Sequence, residues 1–408
     1  MAEKIVIIGA GPAGVTVVET LRAQGGASSI SMLTSEPYPP YSPPAMVDHF
    51  LTGSQAHLWR ESDWAERMQV DYHMGATVVS VEPEAHQVRL ADGEALSYDW
   101  LVIASGSRLH APLEGVDQPG VYNFKSLSAA TALMQRVKSG QAKTALIVGA
   151  GFIGMEIALL LSDLGVKVTQ LEMLPQVMPA MLDAATGEIA LDLMRGRGVQ
   201  VHLNTRAHRF AGDGRARGVE LDSGELLEAD ILIAATGVRP NLDFLQGSAL
   251  EHRWGILVDE HLRTSMADIF AAGDVVETPD RITGETYVHA ILPNAVEQGK
   301  VVGLNLLGYD VRYEGAERMN SLKHLGLSIL AVGLKDGDEV MRRRVNDGWR
   351  TLYLEDHRLV GFQLVGDIRA AGALRTLLNR GDDLRLLKDR LLDPGFGQGA
   401  LVWGAILG

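Results

Sequence analysis

Two short apolar runs frame this chain: Lys4–Ile8 and Thr144–Val148 lack polar alternation and read as strands covered on both faces. Each stops at a glycine-rich turn, Gly9-Ala10-Gly11-Pro12-Ala13-Gly14 and Gly149-Ala150-Gly151-Phe152-Ile153-Gly154, and each turn leads into a helix-like stretch. A second strand-like run follows in both places, residues 30–35 and 166–171, ending at Glu36 and Glu172. The duplication goes further. Residues 88–106 align without gaps on residues 219–237, with nine identities in nineteen positions. Each copy reads as strand, Asp-Gly or Ser-Gly turn, strand, then a buried strand ending at Gly106 or Gly237. From about Met319 the pattern changes to short alternating segments, 339–345, 350–354 and 359–365, followed by an amphipathic stretch at 368–379. The expected class is α/β: two Rossmann-like, three-layer nucleotide-binding domains, the second inserted in the first, plus a small α+β C-terminal domain.

The expected boundaries are residues 1–112 with 242–318 for the first domain, 113–241 for the inserted one and 319–408 for the third. A Gly- and Pro-bearing stretch, 111–120, leads into the insertion. Residues 264–274 and the helix-like 293–305 return the chain to the first domain.

In a turn of this kind the first glycine permits the tight bend, the second lets backbone approach a pyrophosphate, and the third lets the helix pack on the strand. The helix N-terminus adds unsatisfied N–H groups and a partial positive charge, which suit a diphosphate. A carboxylate about 20 positions on accepts hydrogen bonds from an adenosine ribose, and Glu36 and Glu172 stand in those places. For one copy, a glycine turn without a cofactor is the plain alternative. Two copies with both carboxylates point to two dinucleotides, a flavin and a nicotinamide. Residues 173–178 after Glu172 hold no Arg or Lys to meet a 2′-phosphate, so NADH is expected over NADPH.

Composition narrows the chemistry. At 408 residues with 46% hydrophobic content, two or three packed domains are expected, and no apolar run is long enough for a bilayer. The apolar run near the N-terminus reads as the first strand rather than a leader, and the expectation is a soluble, cytoplasmic protein. A net charge of −14 argues against nucleic-acid binding. Cysteine is absent, which excludes Cys-ligated iron–sulfur clusters, Cys-rich zinc sites and every dithiol mechanism within the chain. The 12 histidines show no paired metal-ligand spacing, so no metal is expected.

The motifs GAGPAG, IASG, GAGFIGME, ATGVRPN and TSMADIFAAGD, in that order, resemble those of the pyridine-nucleotide-disulfide oxidoreductase superfamily. The resemblance covers nearly the whole chain. It implies an FAD domain, an inserted NAD(P) domain and a C-terminal interface domain. The cofactors it implies are FAD and NAD(H). FAD would be held by Gly9, Gly11, Pro12, Ala13, Gly14 and Glu36, with Val78, Ala104, Gly106, Gly273 and Asp274. Asp274 would meet the ribityl chain near the diphosphate. The nicotinamide cofactor would be held by Gly149, Gly151, Phe152, Ile153, Gly154, Glu172 and Gly237. Pro293 suits the first turn of a helix whose end, through Asn294 and Ala295, would face the flavin N1–C2=O edge; an ordinary helix start is the other reading. Glu156 is the catalytic candidate, near the nicotinamide ring and positioning it; a helix-start carboxylate is its alternative.

The chain departs from the disulfide reductases in lacking both a Cys pair after the first helix and a C-terminal His-Glu pair. Residues 36–44 are instead similar to the segment that passes the flavin in ferredoxin reductases, rubredoxin reductases and nitrite reductase flavin domains. Those relatives place a basic residue just after the proline pair, and Ala45–Asp48 supply none. Residues 290–299, 319–326 and 364–368 are similar to NADH:acceptor flavoprotein subunits such as the NADH-linked (epsilon) subunit of phenylglyoxylate dehydrogenase.

The implied function is an FAD-dependent NADH:acceptor oxidoreductase passing electrons to a partner with an iron–sulfur or rubredoxin-type centre, as a homodimer or a subunit of a hetero-oligomer. Two alternatives stand beside it: a separate NADH:quinone or oxygen reductase, and a flavin-containing assembly or signalling protein. Tyr38 and Tyr41 either shape the electron exit or pack their loop. Arg342, Arg343 and Arg344 form either a basic patch or a solvated strand edge. The apolar stretch 396–408 docks either on a partner subunit or on its own domain.

Overall fold

The computed structural model describes residues 3–56 and 58–397; most of the apolar stretch 396–408 therefore lies outside the described residues. The chain divides into two units. The first comprises residues up to His110, Asn123–Lys138 and Val238–Glu317. The second comprises Ala111–Tyr122, Ser139–Gly237 and the chain from Arg318 on.

The first unit is built on a five-stranded parallel sheet in the order Ile269–Ala271, Trp100–Ile103, Lys4–Ile8, Ser29–Thr34, Val70–Met74. The run Lys4–Ile8 is apolar throughout because it is central. Ile5 and Ile7 enter one core with Val15, Val17, Leu21 and Val302, whereas Val6 and Ile8 enter another with Val81, Val88 and Leu245. Burying each such side chain contributes about 1.5–3 kcal/mol. The second core lies under a three-stranded antiparallel sheet, Val78–Glu82, Gln87–Leu90 and Ala95–Ser97. On the first, the helices Pro12–Ala23 and Leu292–Leu306 pack closely. A Cβ at Gly299 would lie 2.5 Å from the Ala13 carbonyl oxygen, and one at Gly303 would lie 2.8 Å from Thr20 Cβ. Two glycines at i and i+4 on one helix face give that close approach.

The second unit repeats the design. Its parallel sheet runs Gln200–His202, Lys167–Leu171, Thr144–Val148, Ile231–Ala234, Val121–Tyr122, and Leu146 and Val148 share a core with Phe210, Val219 and Leu221. A five-stranded antiparallel sheet follows in the order Met319–Leu322, Ile329–Gly333, Arg358–Val365, Gly348–Glu355, Glu339–Val345, with the helix Ala371–Arg380 after it. This sheet grips residues 179–183. Lys335 Nζ donates to the Pro179 carbonyl, Gln363 Nε2 to the Met181 carbonyl (3.1 Å) and the Tyr353 hydroxyl to Asp183 Oδ2 (2.8 Å).

Those contacts are why the residues from 318 on group with the second unit, where the sequence reading has them as a third domain. The helix Leu127–Lys138 groups with the first unit for a parallel reason. Its Leu127 N–H donates to the Tyr41 hydroxyl (3.0 Å) and its Ser128 N–H to Glu36 Oε2 (3.0 Å). Among the described residues, no helix is long and apolar enough to cross a membrane.

Candidate functional site: two dinucleotide cradles

The strand Lys4–Ile8 ends at Gly9, whose φ of +110° belongs to the region that favours glycine. A Cβ there would overlap the Ala104 carbonyl, and a Cβ at Gly14 would overlap the Gly9 carbonyl oxygen. Gly11 differs. Nothing stands within 4 Å of a Cβ built on it, so the space over the turn is open. The helix Pro12–Ala23 begins there with Gly11 as its cap, in extended conformation and without a side-chain capping bond, and Pro12 gives up an N–H that no helix bond would use. Ala13 and Gly14 are buried beneath it.

The second turn has the same three parts. Gly149 has φ +103° and a Cβ there would lie 2.5 Å from the Ala235 carbonyl oxygen, a Cβ at Gly154 would overlap the Gly149 carbonyl oxygen, and Gly151 faces open space. Gly151 caps the helix Phe152–Asp163, again without a side-chain bond, and Phe152 and Ile153 are half-buried in its first turn. Both turns therefore present outward-facing N–H groups to a gap that a side chain would fill. That arrangement fits a dinucleotide diphosphate.

The two carboxylates are set differently. Glu172 is buried, and each of its oxygens holds backbone: Oε2 accepts from Ala150 N–H at 2.9 Å and Oε1 from Leu174 N–H at 3.0 Å. A carboxylate oxygen has two lone pairs, so both retain capacity for a ribose hydroxyl. The Gln170 amide donates to the Gly149 carbonyl (2.9 Å) and the Met178 N–H to the Ala150 carbonyl (2.8 Å), which fixes the turn from two more sides. Glu36 is half-buried and takes the Ser128 N–H together with the Tyr41 hydroxyl, 3.4 Å away. Burial, with Glu36 adding to it, raises the Tyr41 phenol well above its ordinary range, so it stays a neutral donor. Tyr38 and Tyr41 lie against Trp59, at 6.0 and 6.4 Å between ring centroids; they pack their loop.

Asp274 follows Gly273 (φ +86°), whose N–H donates to the buried Gln298 side chain at 2.7 Å. Asp274 Oδ2 accepts from Ser107 Oγ (3.0 Å) and from Lys125 Nζ (2.6 Å), with Lys125 and Asp274 each about a fifth exposed, 21% and 18%. Sequence reasoning missed Lys125, Ser107 and Gln298. A lone lysine in an irregular stretch carries no motif, and only the fold brings it 149 positions to Asp274. Gly106 (φ +67°) precedes the strand Ser107–His110, Gly237 opens the strand Gly237–Pro240, and Val78 opens the strand over the second core.

The helix expected at Pro293 begins one residue earlier, as Leu292–Leu306, with proline in its first turn. Asn294 is buried and its side chain both donates to the Glu317 carbonyl and accepts the Glu317 N–H, at 3.0 Å each. The Ala295 N–H donates to the Ile291 carbonyl at 3.2 Å, so the amides of Leu292 and Asn294 lie ahead of the first intrahelical bond. Glu156 sits in the helix Phe152–Asp163 with His324 Nδ1 at 3.7 Å from its Oε1. Of the three consecutive arginines, Arg342 pairs with Asp183 (3.6 Å) over the Trp349 ring and Arg343 with Asp393 (3.4 Å), as befits an edge strand with acidic neighbours.

Comparison with known proteins adds a family and its members. The profile described as pyridine nucleotide-disulphide oxidoreductase matches residues 3–299. The NADH oxidase of Methanocaldococcus jannaschii is 29% identical over 398 residues, covering 90% of this chain and 88% of that one. The epsilon subunit of the NADH-dependent phenylglyoxylate dehydrogenase of Aromatoleum evansii is 29% identical over 401 residues, covering 95% of this chain and 94% of that one. Among solved structures, the ferredoxin reductase of the CYP199A2 system from Rhodopseudomonas palustris matches with a TM-score of 0.80 at 28% identity, over 89% of this chain and 91% of that chain.

Proposed function

The chain belongs to the pyridine nucleotide-disulphide oxidoreductase family, and from that premise we propose that it works in the cytoplasm, delivering electrons from NADH to a protein acceptor with an iron–sulfur or rubredoxin-type centre. It is an NADH-dependent flavoprotein oxidoreductase that binds FAD and NADH. When bound, FAD supplies the capacity to accept a hydride and to release electrons singly. Gly9, Gly11 and Gly14 would hold its diphosphate, Glu36 its adenosine ribose and Asp274 its ribityl chain. Gly149, Gly151 and Gly154 would hold the NADH diphosphate. Glu172 would orient the NADH ribose and repel a 2′-phosphate. Glu156 would fix the nicotinamide ring; hydride transfer needs no protein proton donor, so positioning is the whole of its task.

One observation carries the reading: two cradles of the same build, each with its carboxylate, in a chain without cysteine. No thiol relay exists within the chain, so the electrons leave for something outside it. The likeness to an NADH-linked subunit over 95% of the chain supports the finer reading, membership of a 2-oxoacid dehydrogenase complex. The likeness to an NADH oxidase favours a second reading, direct transfer to oxygen. The deciding experiment mixes anaerobic NADH with the purified holoenzyme and then offers acceptors. Fast flavin reduction, slow reoxidation by oxygen or quinone, and turnover restored by a co-purifying iron–sulfur protein are expected. Rapid oxygen turnover by the isolated chain would establish the second reading instead. Slow flavin reduction with a persistent charge-transfer band would refute both in favour of an assembly role.

A further inference from the structure

We infer that His324 is the positioning residue of Glu156, setting the direction and the charge balance of the carboxylate that meets the nicotinamide; this rests on the role of Glu156 proposed above. His324 Nδ1 stands 3.7 Å from Glu156 Oε1, and the two side chains are similarly enclosed, 18% and 19% exposed. That spacing exceeds a hydrogen bond, so the attraction is ionic and operates when the imidazole carries a proton.

The pairing is held by the fold. His324 lies in the turn between the antiparallel strands Met319–Leu322 and Ile329–Gly333. Its carbonyl accepts from Arg197 Nη1 at 2.9 Å. Arg197 Nη2 in turn meets both carboxylate oxygens of Asp163 at 2.6 Å, and Asp163 ends the helix Phe152–Asp163 on which Glu156 sits. Residues 156 and 163 are two helical turns apart on one face, about 10 Å along the axis. The turn that carries His324 is therefore fastened to the same helix face that presents Glu156. A histidine fastened in this way offers the carboxylate a fixed direction of attraction, as positioning demands. Charged groups around this turn include Glu156 from the helix and Arg197 from beyond the helix Ala184–Gly196, itself paired with Asp163, with exposed Lys323 preceding His324.

The consequence has a sign. A bare Glu156 carboxylate favours the positively charged ring of NAD+ over the neutral ring of NADH. A protonated histidine beside it offsets that charge and weakens NAD+ selectively. With His324 protonated, NAD+ is therefore held less tightly than with it neutral.

The test is calorimetric titration of oxidised holoenzyme with NAD+ between about pH 6 and pH 8. For the unaltered protein, the dissociation constant should rise about threefold to tenfold on going to the lower pH. H324Q and H324A should both flatten that rise, whereas E156Q, which leaves the imidazole charge in place, should weaken NAD+ at both ends of the range. H324Q, close in size, should retain the melting temperature and flavin content of the parent, so a folding defect in H324A leaves the question decidable. A pH-independent affinity in the unaltered protein, or a slope that survives H324Q, overturns the inference. Should E156Q leave both NAD+ affinity and the rate of flavin reduction unchanged at every pH, the role of Glu156 falls, and the role of His324 with it. Should E156Q slow reduction while H324Q changes nothing, only the role of His324 falls.

Discussion

A methyl group added at Gly11 meets nothing of the protein within 4 Å, whereas one at Gly9 would overlap the Ala104 carbonyl on a backbone at φ +110°. The two glycines, two positions apart, serve different ends, and substitution should separate them. Gly9→Ala is expected to compromise folding, since a strained φ and a backbone overlap together cost about 2 kcal/mol or more. Gly11→Ala should leave the melting curve of the apoprotein within about 0.5 kcal/mol of the parent and yet lose bound flavin on gel filtration. Retention of full flavin by G11A would show that the open space is not where the diphosphate rests. Glu172 is read in the same terms. E172A should cut the preference for NADH over NADPH, measured as a ratio of kcat/KM, by about tenfold, which corresponds to about 1.4 kcal/mol. Because both oxygens also hold backbone amides, E172A should destabilise the second unit by about 1–3 kcal/mol in a denaturant titration. E172Q, which keeps one acceptor, should lose less.

Among elements, the helices Pro12–Ala23 and Leu292–Leu306 pack closely, and that approach depends on Gly299 and Gly303 having no side chain. Gly299→Ala would push the second helix from the first, and overpacking of this kind costs about 1–3 kcal/mol. Both helices begin where FAD is proposed to bind. The variant should therefore lower the urea midpoint and accelerate flavin release together; a lower midpoint with unchanged flavin release would uncouple the packing from the site. Much of this level is legible in the sequence. The apolar runs, the glycine turns and the repeat at 88–106 and 219–237 are local patterns that hold wherever the segment goes. The helix at Leu127–Lys138 is different. Its place in the first unit follows from Tyr41 and Glu36 accepting its first N–H groups, and no periodicity in residues 127–138 announces partners some 90 positions away. Lys125 escapes notice for the same reason, and His324, though inside the segment 319–326, has no role of its own until the fold delivers it to Glu156. The grip of Lys335, Tyr353 and Gln363 on residues 179–183 likewise joins what the alternating pattern from 339 on presents as a domain of its own.

At the scale of the molecule, the duplicated cradles imply separable functions. Gly151→Ala should keep a full complement of FAD and raise the KM for NADH about tenfold or more, since Gly151 has the same open surroundings as Gly11. Loss of flavin from G151A would contradict independent cradles. The two units are nevertheless interleaved in sequence: the chain passes from one to the other five times. No single cut isolates either of them. The parallel sheet of the first unit lacks its edge strand Ile269–Ala271 until residue 271 of 408 has been synthesised. Until then Trp100–Ile103 has one backbone edge bare. A nascent polypeptide with an uncovered apolar strand invites association with its neighbours on the polysome. Slow elongation or premature termination within the middle third should accordingly yield aggregates rather than half-active fragments, and chaperone engagement during translation should cease only after that strand emerges from the ribosomal tunnel.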